Sequence, residues 1–407
     1  MSSIAMPTTK TWISARDHSD SLRPLALAAP LLLLLLFSFG APIVALLSRA
    51  VYEPTIANAL PHTIAALRQD GGAGVPDEAV FRAFATDLKD GQAAGTVYEF
   101  AKNLNTRLPG ARSQVLRVTR LAAQDEAVTK EAMIKAAPLL GEEKSWSAIR
   151  VGTNRFTSFF LLSAFDLRWT GQWTIGAVPA DQAVFLRVFG RTFLIATLVT
   201  LATLALAFPL AYLMTNLRPA IAGIVLVLVL LPFWTSILVR TAAWTVILQK
   251  YGILNDLLLW LGVTSDRIEL MYSRTGLIIA MTHIQLPFTL LPIYSVMRSV
   301  QPSQLRAAQS LGGRPFTVFR RIYLPQVMPG VLAGCLLTFI LCLGYYITPV
   351  LIGGASDQLI SNFIANYVNA ELNWEMAAAL SFVLLASTLG LYITMTRYLG
   401  LDLFKMG

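Results

Sequence analysis

The sequence predicts an all-α polytopic membrane protein, with six membrane-spanning helices and one mainly helical polar domain on the outer side. Three observations carry this prediction. Of 407 residues, 55% are hydrophobic and 14% charged, and mean hydropathy is +0.60, whereas soluble domains average about 25% charged residues. Six long stretches, 25–48, 192–217, 219–249, 275–297, 322–356 and 376–396, lack Asp, Glu, Lys and Arg except for Arg240. A helix needs about 20 such residues to cross the hydrocarbon layer. Finally, a single long polar segment, 49–185, places its apolar residues at a helical period.

The first apolar stretch is longer than the roughly 7–15 apolar residues of a signal peptide, so 25–48 is read as an uncleaved span and 1–24 as a tail. Within the polar segment, Val80, Phe81, Phe84 and Leu88 recur three and four apart, as do Val97, Phe100 and Leu104. Both sets mark amphipathic helices. The uncharged run 156–165 is too short to span, and Trp169 and Trp173 read as interfacial anchors ahead of the next span. Residues 186–400 then form a five-span core.

Orientation follows from the basic residues of the short loops, which favour the cytoplasmic side. Lys10, Arg16, Arg23, Arg218, Arg298, Arg306, Arg314, Arg320, Arg321, Arg397 and Lys405 fall on one side, against Lys250, Arg267 and Arg274 on the other. Both termini, including the tail 401–407, are therefore expected in the cytoplasm, with 49–185 outside. The net charge of +9 is thus read as loop anchoring, with lipid and not nucleic acid as the partner.

Chemistry of the chain's own is not expected. Cys335 and Cys342 lie on one predicted helix, about 10 Å apart at 1.5 Å per residue, beyond disulfide reach. His18, His62 and His283 show no ligand spacing, so no metal site is expected. GxxxxGK[ST], GxSxG and HExxH are all absent from the sequence, which leaves no P-loop, nucleophile elbow or zinc-protease signature. No catalytic residue is assigned.

The most informative stretch is the arginine-rich loop 299–327, with QPSQLRAAQSLGGRPFTVFRRIYLPQVMPG running from Gln301 to Gly330. Pro302 is suited to start a short helix, Ala307 and Ala308 give it a slim face, Gly312 and Gly313 permit a sharp turn, and Pro315 permits a second helix. Leu324-Pro325 is read as closing the loop before the fifth span. The spacing of Arg306, Ala307, Ala308, Gly312, Ile322, Leu324 and Pro325 resembles the EAA signature of type I ABC importer permeases, with Arg306 in place of the consensus Glu. The stretches LPFWTSILVRTAAW (231–244), GILN (252–255), QLPFTLLPIY (285–294) and LGYYITPVLIGG (343–354) resemble the spermidine/putrescine branch of that family. The likeness covers about 185–400, and the outward domain is an insertion that short members lack.

The resemblance implies a six-helix permease of the bacterial inner membrane. Its coupling helix would sit in a groove of a cytoplasmic ABC ATPase dimer. ATP and Mg would be held by that ATPase and no cofactor by this chain. A second permease subunit, most simply a distinct chain, and a periplasmic solute-binding protein complete the implied assembly, which imports polyamines or a related small organic solute by alternating access.

Ionisable residues inside spans are expensive, so Arg240 and His283 are candidates for the translocation path. Trp234, Thr235, Trp244, Tyr345 and Tyr346 join them. Each has a structural alternative: Arg240, read as lying toward the outer end of its span, also suits snorkelling, His283 an interhelical hydrogen bond, and the aromatics packing. No carboxylate lies inside a span; Asp357, Glu371 and Glu375 are placed at the outer rim, and Tyr345 stands where several relatives carry an acid. An amino-acid derivative or organic anion is therefore the alternative substrate. A mechanotransmission protein, moved by an ATPase without translocation, is the alternative of another class.

Overall fold

The computed structural model describes residues 28–72, 74–124, 128–169 and 174–399. Both tails therefore lie outside the described residues, with Lys10, Arg16, Arg23 and Lys405, as do residues 25–27 of the first apolar stretch and Trp173. The described chain is helical almost throughout. Its only sheet among these residues is a two-stranded antiparallel hairpin, β1 (Leu167–Trp169) with β2 (Ile175–Ala177).

Among the described residues, five helices are long and apolar enough to cross a membrane: α1 (Ala28–Ser48), α10 (Phe185–Asn216), α14 (Arg274–Ser299), α16 (Pro315–Gly344) and α19 (Trp374–Leu399). The stretch expected as one straight third span is instead a bent pair, α11 (Pro219–Trp234) and α12 (Ile237–Ile247), meeting at 102°. Counting that pair as one gives six. The break has a local cause. Pro232 tightens residues Leu231–Trp234 into a 3-10 turn, and the Ser236 side chain accepts from Leu238 N–H to start a new helix.

The fifth span also differs from its expected bounds. Helix α16 begins at Pro315, before Leu324-Pro325, and ends at Gly344; residues Ile347–Ile352 form a separate short helix, α17. Leu324-Pro325 therefore lies inside α16 and does not close the loop. Pro325 has no N–H and its ring displaces the carbonyl four residues back. The helix absorbs this in a wide turn over Phe319–Tyr323, where Leu324 N–H reaches Phe319 O. Pro42 is preceded by the same wide turn in α1, at Leu36–Gly40.

At the centre of the bundle, α14 and α16 cross at backbone contact. A Cβ on Gly334 would lie 2.7 Å from Thr289 O, and one on Gly330 2.8 Å from Pro292 O. This four-residue spacing of small residues lets two backbones meet where no hydrophobic effect drives helices together. Buried hydroxyls cross-link the same layer: Thr289 Oγ1 is 3.1 Å from Thr203 of α10 and 2.6 Å from Thr338 of α16.

At one end of the bundle stands a helical cluster, α2 (Thr55–Ala59), α3 (Pro61–Asp70), α4 (Glu78–Ala94), α5 (Val97–Arg107), α6 (Ala111–Gln124), α7 (Lys130–Ala136) and α8 (Glu143–Gly152). Its core contains the residues whose spacing predicted the helices, Val80, Phe81, Phe84 and Leu88 with Val97, Phe100 and Leu104, packed around a fully buried Trp146. The Trp146 ring lies 5.0 Å from Phe81 and 5.7 Å from Phe84, and its N–H donates to Leu140 O at 2.8 Å.

The two ends of this cluster are zipped together. Glu53 N–H donates to Arg155 O and Thr157 N–H to Val51 O, both at 2.8 Å. Beyond the zipper, α9 (Phe159–Ala164) joins the spans instead, since Phe160 and Ala164 pack with Val188, Ile360, Met376 and Leu380. The Asp166 carboxylate accepts from the N–H groups of Val184, Phe185 and Leu186 and so caps α10. Trp169 belongs to β1, where its ring N–H donates to Ser158 Oγ at 3.0 Å.

Candidate coupling loop and translocation path

The arginine-rich loop lies at the opposite end of the bundle from the helical cluster. Helix α15 (Pro302–Ser310) starts with Pro302 in its first turn, and α16 starts with Pro315. Between them Gly312 N–H donates to Gln309 O at 2.9 Å and Gly313 N–H to Ala308 O at 3.0 Å. This pair of bonds is the Schellman ending of a helix. Gly312 holds φ +85°, and a Cβ on Gly313 would stand 2.7 Å from Ala308 O and 2.9 Å from the Val318 side chain. The first glycine is thus required by conformation and the second by space.

One side chain of α15 ties it to the bundle: Leu305 packs on the cluster formed by Met214, Ile293, Met297, Tyr323 and Val327. Arg306 and Ala307 are exposed and Ala308 half-buried. Ile322 and Leu324 are half-buried and Pro325 exposed, in and just after the wide turn. The seven signature positions thus divide between α15 with its closing turn and the adjoining bend of α16. Sequence reasoning passed over the two most exposed large apolar side chains at this end, Leu311 at 89% and Phe316 at 72%. Their signal was present, because two large apolar residues flank a Gly-Gly turn in a loop otherwise rich in arginine.

The path candidates gather at the two helix breaks. Past the first break, Arg240 lies in the opening turn of α12, and its guanidinium donates to Thr235 O at 3.2 Å. A carbonyl released by the bend is thereby paired, as a backbone group within an apolar stretch needs to be. Arg240 Nε is buried without a partner. One helical turn on, Trp244 Nε1 donates to His283 Nδ1 at 3.2 Å, with ring centroids 5.3 Å apart. Neutral His283 then carries its proton on Nε2. Arg240 is within electrostatic range of both His283 and Tyr345.

The second break lies at Tyr345 and Tyr346, between α16 and α17. Helix α18 (Ile360–Asn369) caps their carbonyls: Ser361 Oγ donates to Tyr345 O, and Asn362 Nδ2 to Tyr346 O at 2.9 Å. Thr241 of α12 meets Thr348 of α17 through their hydroxyls at 3.3 Å, so the two breaks are joined. Arg240, Trp244, His283 and Tyr345 thus come together. Trp234, by contrast, is 71% exposed. The hydroxyls and amides of Thr241, Thr348, Ser361 and Asn362 were missed from sequence because their partners are distant along the chain.

Of the acids placed at the rim, Asp357 is held by Arg274 at 2.8 Å and Glu375 lies 3.8 Å from Arg49. Glu371 accepts from Asn366 Nδ2 at 2.9 Å.

Residues 174–399 match the family described as binding-protein-dependent transport system inner membrane component. The chain is 37% identical over 190 residues to the spermidine/putrescine transport system permease protein PotB of Escherichia coli, a match covering 46% of this chain and 69% of that one. It is 32% identical over 259 residues to the inner membrane ABC transporter permease protein YdcU of the same organism, covering 60% and 81%. Among solved structures, a bacterial alginate ABC transporter in complex with an alginate pentasaccharide-bound periplasmic protein matches at 20% identity and a TM-score of 0.44, over 53% of this chain and 79% of that one.

Proposed function

We propose a role for this chain from one premise: it belongs to the binding-protein-dependent transport system inner membrane component family, and it is a multi-pass permease subunit of an ABC importer, not an enzyme. Such a subunit works with a separate ATPase and a solute-binding protein. The substrate we assign is a polyamine of the spermidine/putrescine kind, and the likeness to the PotB permeases, joined to the four matching stretches, supports it.

The observation that carries the coupling role is the loop geometry. Helix α15 is anchored from behind by Leu305 and closed by a glycine turn, and the side chains on either side of that turn, Leu311 and Phe316 at the start of α16, stand exposed. An anchored helix and turn with exposed apolar side chains suit insertion into a groove of the ATPase. Closure of the ATP-bound dimer would then pull α15 and its counterpart together and open the outer cavity, and hydrolysis would reset it. Each ligand biases one of two global states. Both termini and α15 lie in the cytoplasm in this reading, the helical cluster in the periplasm. The partner permease is a similar, distinct chain without the inserted cluster.

Within the path, Arg240 pairs the carbonyl freed at the first break, and Trp244 fixes His283. Together with Thr235, Tyr345 and Tyr346 they form a polar seam between bent segments that can separate without breaking a continuous helix. The test is uptake of labelled putrescine, spermidine, amino acids and organic anions by cells with and without this chain, the ATPase being intact. The expected result is loss of polyamine uptake alone. Loss of a different solute would remove the polyamine assignment, and no loss of any solute would favour mechanotransmission.

A further inference from the structure

We propose that the outer mouth between α17 and α18 is a recognition site for the ammonium groups of the substrate, taken up just before the path; this rests on the polyamine reading above. A cavity of about 430 Å³ opens there, lined by Tyr346, Gln358, Asn362, Phe363, Asn366 and Asn369 among others, and no Lys or Arg lines it. The amides are oriented by their partners. Gln358 Nε2 donates to Pro349 O at 3.4 Å, Asn362 Nδ2 to Tyr346 O at 2.9 Å, and Asn366 Nδ2 to Glu371 Oε1 at 2.9 Å. Each partner is an oxygen that only accepts, so each contact must be made by the amide N–H.

That arrangement spends donors and leaves acceptors. The side-chain oxygens of Gln358 and Asn366 keep their lone pairs, and Asn362 Oδ1, which accepts from Leu359 N–H at 3.0 Å, keeps one more. An alkylammonium has three donors and no acceptor, the complement of this lining. The Tyr346 ring, 45% exposed, and the half-buried Phe363 add aromatic faces suited to a cation. Glu371, held by Asn366, adds a carboxylate beside the amides. Cations around this mouth are held by other groups: Arg191 donates to the main-chain oxygens of Ser356 and Gln358, Arg274 to Asp357, and Lys102 Nζ to Leu372 O at 2.7 Å.

The mouth also supplies what the spans lack. A polyamine entering the path meets Arg240 with no carboxylate inside any apolar stretch to balance it. Neutral acceptors and aromatic faces at Tyr346, next to Tyr345 and the first-break cluster, hold a cation without trapping it as a buried carboxylate would.

The test uses the complete transporter, with its ATPase, partner permease and binding protein, in liposomes. Putrescine uptake and binding-protein-stimulated ATPase are measured for wild type, Asn369→Lys, Asn369→Asp and Tyr346→Leu. Asn369 ends α18 and is exposed, and a basic residue is favourable at a helix C-terminus, so the lysine does not threaten the fold. A unit charge at about 7 Å in a half-wet site is worth about a tenfold change. Asn369→Lys is expected to lower uptake about tenfold with stimulated ATPase retained, Asn369→Asp to keep or raise it, and Tyr346→Leu to lower it severalfold. Equal effects of the lysine and aspartate variants, or no effect of either in a wild type that transports putrescine, overturn the inference alone. A wild type that transports no polyamine overturns the underlying reading and the inference with it.

Discussion

Arg107→Met tests what joins the helical cluster to the spans. Arg107 Nη2 lies 2.9 Å from Glu53 Oε2, with side chains 2% and 0% exposed, and its guanidinium stacks 4.9 Å from the Phe159 ring and 5.8 Å from that of Phe160. One residue of α5 thus bolts the segment that enters the cluster to the membrane-side helix α9. Methionine keeps much of the apolar bulk but leaves Glu53 with Thr55 N–H, at 3.0 Å, as its remaining donor. An uncompensated buried charge costs about 3–5 kcal/mol.

The carboxyl has one escape, which is to take a proton. Burial already raises Glu53 above its ordinary 4.5, with Arg107 the largest force opposing that rise. Removing Arg107 raises it further. The folded state then binds a proton more tightly than the unfolded state, so stability is fully present below about 4.5 and is lost as pH climbs through the raised folded value, by about 1.4 kcal/mol per unit. Hydrogen exchange of peptides from 53–70 and 97–107 in the purified transporter, corrected for intrinsic rates, measures it. Protection in Arg107→Met should fall by two to three orders of magnitude at pH 8 and by less at pH 5. Glu53→Gln with Arg107→Met should recover most of it. Unchanged protection in the single variant, or a loss that grows as pH falls, would refute the reasoning.

Two further outcomes follow from close contacts. Gly313→Val adds carbon where Ala308 O and Val318 already crowd a Cβ at 2.7 and 2.9 Å; the turn after α15 should open, with the chain still membrane-inserted and binding-protein-stimulated ATPase down at least tenfold. Gly334→Leu forces α14 and α16 apart at Thr289, so the transporter's thermal midpoint in detergent should drop by several degrees, as overpacking of about 1–3 kcal/mol implies; an unchanged midpoint would show that the two backbones do not meet there.

The sequence made some of these features legible because their causes are local. Pro302, Gly312 and Pro315 punctuate the loop where the helices begin and end, and the spacing of Phe81, Phe84 and Phe100 exposes a buried face. The breaks were not legible for the opposite reason. Residues 219–249 carry a single charge, Arg240, so length and hydropathy pass over the 102° bend, although Pro232 and Ser236 mark it. The Tyr345 and Tyr346 carbonyls are paired by Ser361 and Asn362, 16 residues further on. Likewise the zipper between Glu53 and Arg155 joins residues about a hundred positions apart, which no local pattern announces. The path candidates were legible as residue types, but their meeting at two joined breaks required the fold.

The central claim is that α15 is the contact through which an ATPase drives this permease. A single cysteine at Arg306, in a chain whose Cys335 and Cys342 are replaced by serine and alanine, tests it by cross-linking in the assembled transporter with and without a non-hydrolysable ATP analogue. The account predicts a cross-link to the ATPase subunit whose yield changes with nucleotide, and none from a cysteine placed at Asn369 on the opposite end of the bundle. A cysteine at Arg306 that never reaches the ATPase in a transporter that still hydrolyses ATP on demand would contradict it.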